Sequence, residues 1–378
     1  MNKFERFTPV LLVAGVGFFV LSLGAMGFLP WITMRGLKPP ETLPAYTSEE
    51  LRGRQVYIAE ACWHCHTLFV RPVAREPERY GPPSRPEESL YDIPQLYGTR
   101  RVGPDLAREA GRRSDDWQLA HLANPRNTTP WSVMPPFPWL FKKEGNKIVP
   151  TEDGKALVAF LQSQGRAVKE EMAKADASWA ASFRGGPPPL ETEALKGRGA
   201  ALFRRECAGC HGPNGDGNGS ARPFLGPPPE RLSRVKMTAA EAFRNISLGA
   251  PGSSMPHWRE YGDEDRWALA FHVVRLHREE PLPAGAPQRS EALLARGRTL
   301  FQIQCAACHG NEGRGDGPAA AALKPSVPDF TVYSPNTAYA YEVMVEGIPG
   351  SAMVAFAGVS EQDRWALAHY VSSLYTGR

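Results

Sequence analysis

Residues 305–309 read Cys305-Ala306-Ala307-Cys308-His309, and this five-residue pattern decides what kind of domain the chain builds. The pattern also occurs as Cys62-Trp63-His64-Cys65-His66 and as Cys207-Ala208-Gly209-Cys210-His211. The chain has six cysteines, so these three segments use all of them and none remains for a disulfide framework. Two thiols three residues apart, followed at once by a histidine, are the attachment signature of c-type haem.

In such a site the two thiols add to the vinyl groups of the haem, and the adjacent histidine becomes the proximal ligand of the iron. The alternative is a redox-active or zinc-binding cysteine pair that precedes a histidine by chance. Three occurrences argue against it, and structural zinc prefers four protein ligands. We therefore predict three covalently bound haem c groups, attached and ligated by Cys62, Cys65 and His66, by Cys207, Cys210 and His211, and by Cys305, Cys308 and His309.

The second half of the chain contains an internal repeat. Three separated groups of residues recur with a constant offset of 98, as from Cys207 to Cys305 and from Met255 to Met353. One register held across separated segments indicates two copies of one domain. Each copy is predicted to begin with a helix that carries a glycine, Gly199 or Gly297, whose small size lets the closing helix approach closely.

A domain with the same beginning precedes the repeat but carries an insert of about residues 71–113, rich in Arg, Pro and Tyr. The fold class is predicted to be mainly α, with an N-terminal transmembrane helix followed by three cytochrome c-type helical domains. The predicted boundaries are an anchor over 1–40, a first domain over 41–165, a linker over 166–195, and further domains over 196–281 and 282–378.

The segment from Phe7 to Met34 contains no charged side chain and exceeds the roughly 20 residues that span a membrane. A cleaved signal peptide is the alternative, but its apolar core covers only about 7–15 residues. We predict a retained single-pass anchor in a bacterial inner membrane. The haem domains are then expected in the periplasm, because c-type haem is attached after export. The net charge of +4 gives no case for nucleic-acid binding.

The sixth iron ligands are predicted to be methionines. Met255 and Met353 are equivalent under the repeat and lie in Gly/Pro loops, whereas Met237 and Met344 have no methionine at the equivalent position. In the first domain Met134 is the candidate and His121 is its rival. His64 lies between two attached cysteines and is not expected to fold back as a ligand. The remaining histidines are expected at the surface or in packing, and they are His257, His272, His277 and His369.

From about Gly53 to Leu140 the chain resembles the membrane-anchored monohaem subunit of cbb3-type cytochrome c oxidases. The segments that carry the resemblance are Arg71-Pro72, Glu78-Arg79-Tyr80-Gly81, Tyr91-Asp92, Arg101-Val102-Gly103-Pro104-Asp105-Leu106-Ala107, Ser114-Asp115-Asp116-Trp117, Asn124-Pro125-Arg126 and Met134-Pro135-Pro136-Phe137-Pro138-Trp139-Leu140. The resemblance implies that His66 and Met134 ligate the iron. After Arg166 the chain departs from that family, and the fused repeats resemble the class I cytochrome c module.

With both axial positions filled by protein, each iron is predicted to transfer single electrons. The chain is thus expected to be an electron-transfer subunit rather than an enzyme. The resemblance implies an integral-membrane haem-copper catalytic subunit as acceptor and a soluble cytochrome c or similar donor. Subunits of a membrane dehydrogenase or of a nitric oxide reductase are the alternatives, whereas a gas sensor would need an open iron site. The repeats, on Pro-rich linkers, are expected to reach outward freely.

Overall fold

The computed structural model describes residues 3–36, 38, 39, 41, 43–92, 94–145 and 147–377. The apolar residues near the N-terminus form one helical run, made of α1 (Lys3–Leu23), a π-helical turn (Gly24–Phe28) and α2 (Leu29–Met34). Phe7–Thr33 is long and apolar enough to cross a membrane, and none of it is buried against the rest of the protein. An exposed apolar surface of this size favours an anchor over a core helix.

The remainder of the chain is mostly helical, as predicted. The first domain contains α3 (Ser48–Ala59), α4 (Glu76–Tyr80), α5 (Asp115–Ala123), the hairpin β1 (Phe141–Glu144) and β2 (Lys147–Pro150), and α6 (Glu152–Ser163). After α7 (Lys169–Ser182), the second domain contains α8 (Glu193–Leu202), α9 (Ala208–His211), β3 (Val235–Met237), α10 (Ala239–Leu248) and α11 (Asp263–Val274). The third contains α12 (Glu291–Gln304), α13 (Ala306–His309), β4 (Tyr333–Pro335), α14 (Thr337–Glu346) and α15 (Glu361–Ser373).

In each domain the first helix crosses the closing helix at a glycine. A Cβ placed on Gly53 of α3 would lie 1.8 Å from the carbonyl oxygen of Ala156 in α6. A Cβ placed on Gly199 would lie 2.0 Å from a carbonyl oxygen of α11, and one placed on Gly297 would lie 2.1 Å from a carbonyl oxygen of α15. No side chain fits at such a distance, so the close approach predicted for the repeats is present in all three domains.

Each helix pair closes over its own core. Phe160, Phe203 and Phe301 are fully buried, one in each of three separate apolar clusters. The closing helix of the third domain begins at Ser360, whose Oγ accepts from the backbone N–H of Asp363 at 3.1 Å. The Ser360 hydroxyl therefore caps the first turn of this helix.

Both linkers pack against the domains, in contrast to the expectation that they leave the repeats free. Helix α7 occupies about half of the first linker, and its Asp176 pairs with Arg259 of the second domain at 2.5 Å. At the start of this linker, the guanidinium of Arg166 lies over the ring of Tyr46, 3.6 Å from the ring centroid. The second linker is the Pro-rich segment 281–287, and its Leu282 packs on the core of the third domain. No side chain of α7 is fully buried, but Phe183 just after it and Leu282 are partly buried against the cores of the second and third domains.

The second domain lies between the other two. Strand β3 pairs with β4 of the third domain, and on the opposite boundary Phe224 meets Phe141 of the first domain with ring centroids 6.1 Å apart. Across the described parts of the chain, no hydrogen bond, ion pair or ring contact joins the first domain to the third. The domains are therefore arranged in a row in chain order.

Candidate cofactor sites

One cavity of about 1840 Å³ runs through all three domains. Shared equally among three cofactors, this volume gives each of them a space within the roughly 300–1,000 Å³ that is typical of a single ligand site. The cavity is lined by every residue predicted as a cofactor ligand, namely Cys62, Cys65, His66, Met134, Cys207, Cys210, His211, Met255, Cys305, Cys308, His309 and Met353. The fold thus brings each cysteine pair, its histidine and its methionine to a common space.

The cysteine pairs lie on short helical turns and all six thiols are free. Burial raises the pKa of Cys62 to about 12 and the pKa of Cys210 and of Cys305 to about 11. A redox-active cysteine pair instead has a lowered thiol pKa. These surroundings do not match the thiol–disulfide alternative, whereas free thiols that line a cavity match covalent attachment of a cofactor.

The three histidines are held differently behind the cavity. His66 Nδ1 lies 2.9 Å from the carbonyl oxygen of Pro104, and His211 Nδ1 lies 3.1 Å from that of Glu230. A histidine bound through Nδ1 presents Nε2 to a metal in a fixed orientation. His309 stacks on Phe330 at 4.8 Å, and its buried Nδ1 has no hydrogen-bond partner among the described residues. Burial lowers the pKa of all three imidazoles, which favours the neutral form that ligates iron.

The stretch Arg101–Asp105, quoted above only for its resemblance, holds the loop behind His66. A Cβ on Gly103 would lie 2.3 Å from His66 Cε1, so only glycine fits against that ring. The buried Asp105 carboxylate accepts from Thr67 Oγ1 at 2.5 Å and pairs with Arg101 at 3.1 Å. These contacts fix the Pro104 carbonyl that orients His66, a role that sequence reasoning did not assign.

A serine two residues before each candidate methionine was also missed. The backbone N–H of Met134 donates to Ser132 Oγ at 3.2 Å. The N–H groups of Met255 and Met353 donate to the serine at the equivalent position, both at 3.1 Å. The sequence signal was a Ser-x-Met triplet present in all three domains. This shared turn makes Met134 the structural counterpart of the two repeat methionines despite its different spacing from the attachment motif.

His121, the rival ligand in the first domain, also lines the cavity. Its Nδ1 lies 2.7 Å from Thr128 Oγ1, and its ring stacks on Trp117 with centroids 4.8 Å apart. Burial, the nearby His66 and Arg113 lower the pKa of His121 to about 3. The histidine is thus held neutral by packing. The other histidines occupy surface or packing positions, as with exposed His64 and with His369, which contacts the Pro287 carbonyl.

The cavity fits a haem better than a bare metal ion. Within the described residues no group of three or more His, Cys, Asp or Glu side chains is placed to hold a metal. The indole Nε1 of Trp258, which lines the cavity, is buried and has no hydrogen-bond partner in the part of the chain that the structure describes. Arg112 and Arg113 line it too, and burial and mutual repulsion lower the pKa of Arg112. These three groups would hold haem propionates, which are anionic acceptors.

Three helical domains, each with a histidine and a methionine beside a free cysteine pair, define a multi-domain c-type cytochrome. Residues 2–182 match the family described as cytochrome c oxidase, mono-heme subunit/FixO. Residues 194–273 match cytochrome c oxidase, cbb3-type, subunit III, and residues 294–375 match cytochrome c. The resemblance predicted from residues 53–140 to the monohaem subunit is confirmed, and the second domain matches a different subunit of the cbb3-type oxidase. The cytochrome c domains imply covalently bound haem c.

The chain is also similar to the cbb3-type cytochrome c oxidase subunit CcoP of Cereibacter sphaeroides, with 29% identity over 184 residues. The match covers 47% of this chain and 61% of the relative, so the chain spans about three fifths of that relative's length. Among solved structures it is similar to the reducing HAO-like protein complex Kustc0457/Kustc0458 of Kuenenia stuttgartiensis, at 28% identity. That comparison covers 50% of this chain and 99% of the other, with a TM-score of 0.25.

Proposed function

We propose that this chain is a trihaem electron-transfer subunit that passes electrons to the integral-membrane haem-copper subunit of a cbb3-type terminal oxidase. The observation that carries the proposal is the single cavity, because it is lined by all three attachment motifs and all three candidate methionines. The matches to two different cbb3 oxidase subunit families support the oxidase rather than the dehydrogenase or the nitric oxide reductase alternative.

The proposed iron ligands are His66 with Met134, His211 with Met255, and His309 with Met353, all of which line the cavity. A haem c supplies reversible one-electron chemistry at its iron when bound. The protein's part is to fix the two axial ligands, to attach the cofactor through the cysteines and to exclude water. With no axial position left for a substrate, the chain carries electrons and leaves dioxygen chemistry to its partner.

The row of domains supports an order of transfer. The first domain follows the apolar helix directly and is the one that matches the oxidase mono-haem family. We place it against the catalytic subunit at the periplasmic face of a bacterial inner membrane. The third domain is farthest along the row, and we place the soluble cytochrome c or similar donor there. Electrons then pass from the third domain through the second to the first.

Purification of the native complex tests this proposal. A haem-copper catalytic subunit should co-purify with the chain, and a dehydrogenase or nitric oxide reductase subunit in its place would contradict the assignment. A chain truncated after Ser182, at the end of α7, provides the second arm. It should insert into the membrane, retain one haem and co-purify with the partner, while losing most oxidation of the donor. Loss of the partner from a truncated chain that still carries its haem would place the docking contact in the repeats instead.

A further inference from the structure

The second and third domains meet through equivalent segments related by a local two-fold axis. Strands β3 and β4 occupy the same positions in the two repeats and pair antiparallel, with Lys236 opposite Ser334 at the centre. Gly252 packs on Lys324, and Gly350, its equivalent in the third domain, packs on Gly226. The backbone of this contact is therefore nearly symmetric.

The side chain of Glu230 breaks that symmetry. Its carboxylate accepts from the hydroxyl groups of Tyr333 and Tyr339, both from the third domain, with a distance of 2.8 Å for Tyr339. It also accepts from the backbone N–H of Arg231 at 3.0 Å. The residue at the equivalent position in the third domain is Pro328, whose side chain has no acceptor for such bonds.

Glu230 also contacts a candidate iron ligand. Its backbone carbonyl lies 3.1 Å from His211 Nδ1, so one residue joins the third domain to the proximal histidine of the second. We propose that Glu230 is a positioning residue through which docking of the third domain sets the reduction potential of the iron at His211. The proposal rests on the proposed function in one respect, which is that the second domain carries a haem.

Two effects of Glu230 act on that iron. The carbonyl fixes the imidazole and increases its electron donation, as other outer-shell acceptors do for metal-bound histidines. The carboxylate belongs to a residue that lines the same cavity as His211, and its negative charge would favour the ferric state of an iron bound there. Burial, followed by the charge of Glu230, raises the pKa of Tyr333 and of Tyr339, so both hydroxyls keep their protons and donate. Their dipoles offset part of the carboxylate charge.

The two arginines close to Glu230 form ion pairs with a different carboxylate at the same domain contact. Arg231 pairs with Glu342 of α14 at 2.9 Å, and Arg234 pairs with the same carboxylate at 2.5 Å. Both cations also lie over the ring of Tyr339, at 5.5 Å and 5.3 Å from its centroid. Removal of the Tyr339 hydroxyl alone therefore changes the hydrogen bonding of Glu230 while the ring and these ion pairs are kept.

A spectroscopic potentiometric titration of the full chain tests the proposal. Tyr339→Phe should lower the midpoint potential of the iron at His211, because the carboxylate loses a donor. Glu230→Gln should raise it, by about a tenfold change in the reduced-to-oxidised ratio, or ~59 mV for one electron. Tyr341→Phe is the matched control on the same helix, since Tyr341 stacks on Trp365 in the third core and does not line the cavity.

Opposite shifts in the two variants, confined to the second-domain iron and absent in Tyr341→Phe, would support the proposal. A merely structural disturbance would move both variants in one direction or move several irons together, and either result overturns it. Unchanged potentials with three haems present also overturn it while leaving the proposed function intact. A wild-type second domain without haem would instead contradict the proposed function.

Discussion

Ser254 Oγ lies 2.6 Å from Ser114 Oγ, so the residue that precedes Met255 touches the residue that caps helix α5 of the first domain. The backbone N–H of Gly226 donates to Asp116 Oδ2 on the same helix at 2.9 Å. The methionine loop of the second domain therefore faces the first domain. Electron tunnelling falls off with distance, so this contact would affect transfer between haems bound in the first two domains.

Asp116→Ala should slow electron equilibration between the first two irons severalfold, because the loop at Gly226 loses its anchor. Asp115→Ala is the control, since Asp115 carries the same charge one position earlier and is exposed. Rapid-mixing reduction of the full chain, followed at the haem absorption bands, measures the rate. Equal slowing in both variants would show that charge near α5, rather than the contact with Gly226, controls the transfer.

The helix crossing of the second domain makes a prediction about stability. Gly199→Ala should destabilise α8 and α11 by about 1–3 kcal/mol, because the added methyl group collides with the Ala268 carbonyl oxygen. Gly197→Ala on the same helix meets no atom within 4 Å and should stabilise it by about 0.5–1 kcal/mol. Hydrogen exchange of the two helices in the full chain measures both effects. Similar losses at the two positions would contradict a requirement for close approach.

The ligand of the first-domain iron can be decided between Met134 and His121. Met134→Ala should open that iron to carbon monoxide and lower its midpoint potential, because the thioether favours the ferrous state. His121→Gln should leave the iron six-coordinate, since its Nδ1 is engaged by Thr128 and its ring packs on Trp117. Carbon monoxide difference spectra of the full chain show which variant binds. Binding only in the His121 variant would reverse the assignment.

Local patterns explain what could be predicted from the sequence. The attachment motifs depend on short spacings, and the repeat depends on one offset held between the second and third domains. The crossing at Gly297 was predicted from a glycine at a fixed place before the motif in each repeat. The turn at Met134 depends on the hydrogen bond from its backbone N–H to Ser132. A serine two residues before a methionine is common in sequences, so the residue pair alone did not predict this turn. The pairing of β3 with β4 and the burial of Leu282 arise from contacts between distant segments, which spacing does not encode. The link from Tyr339 through Glu230 to His211 is of the same kind.

The number of haems per chain tests the central claim most directly. Pyridine haemochrome absorbance against protein mass should give three for the wild-type chain. It should give two for each variant in which one motif loses both cysteines, as in Cys207→Ala with Cys210→Ala. A wild-type ratio of two, or a ratio that stays at three when a cysteine pair is removed, would contradict the account.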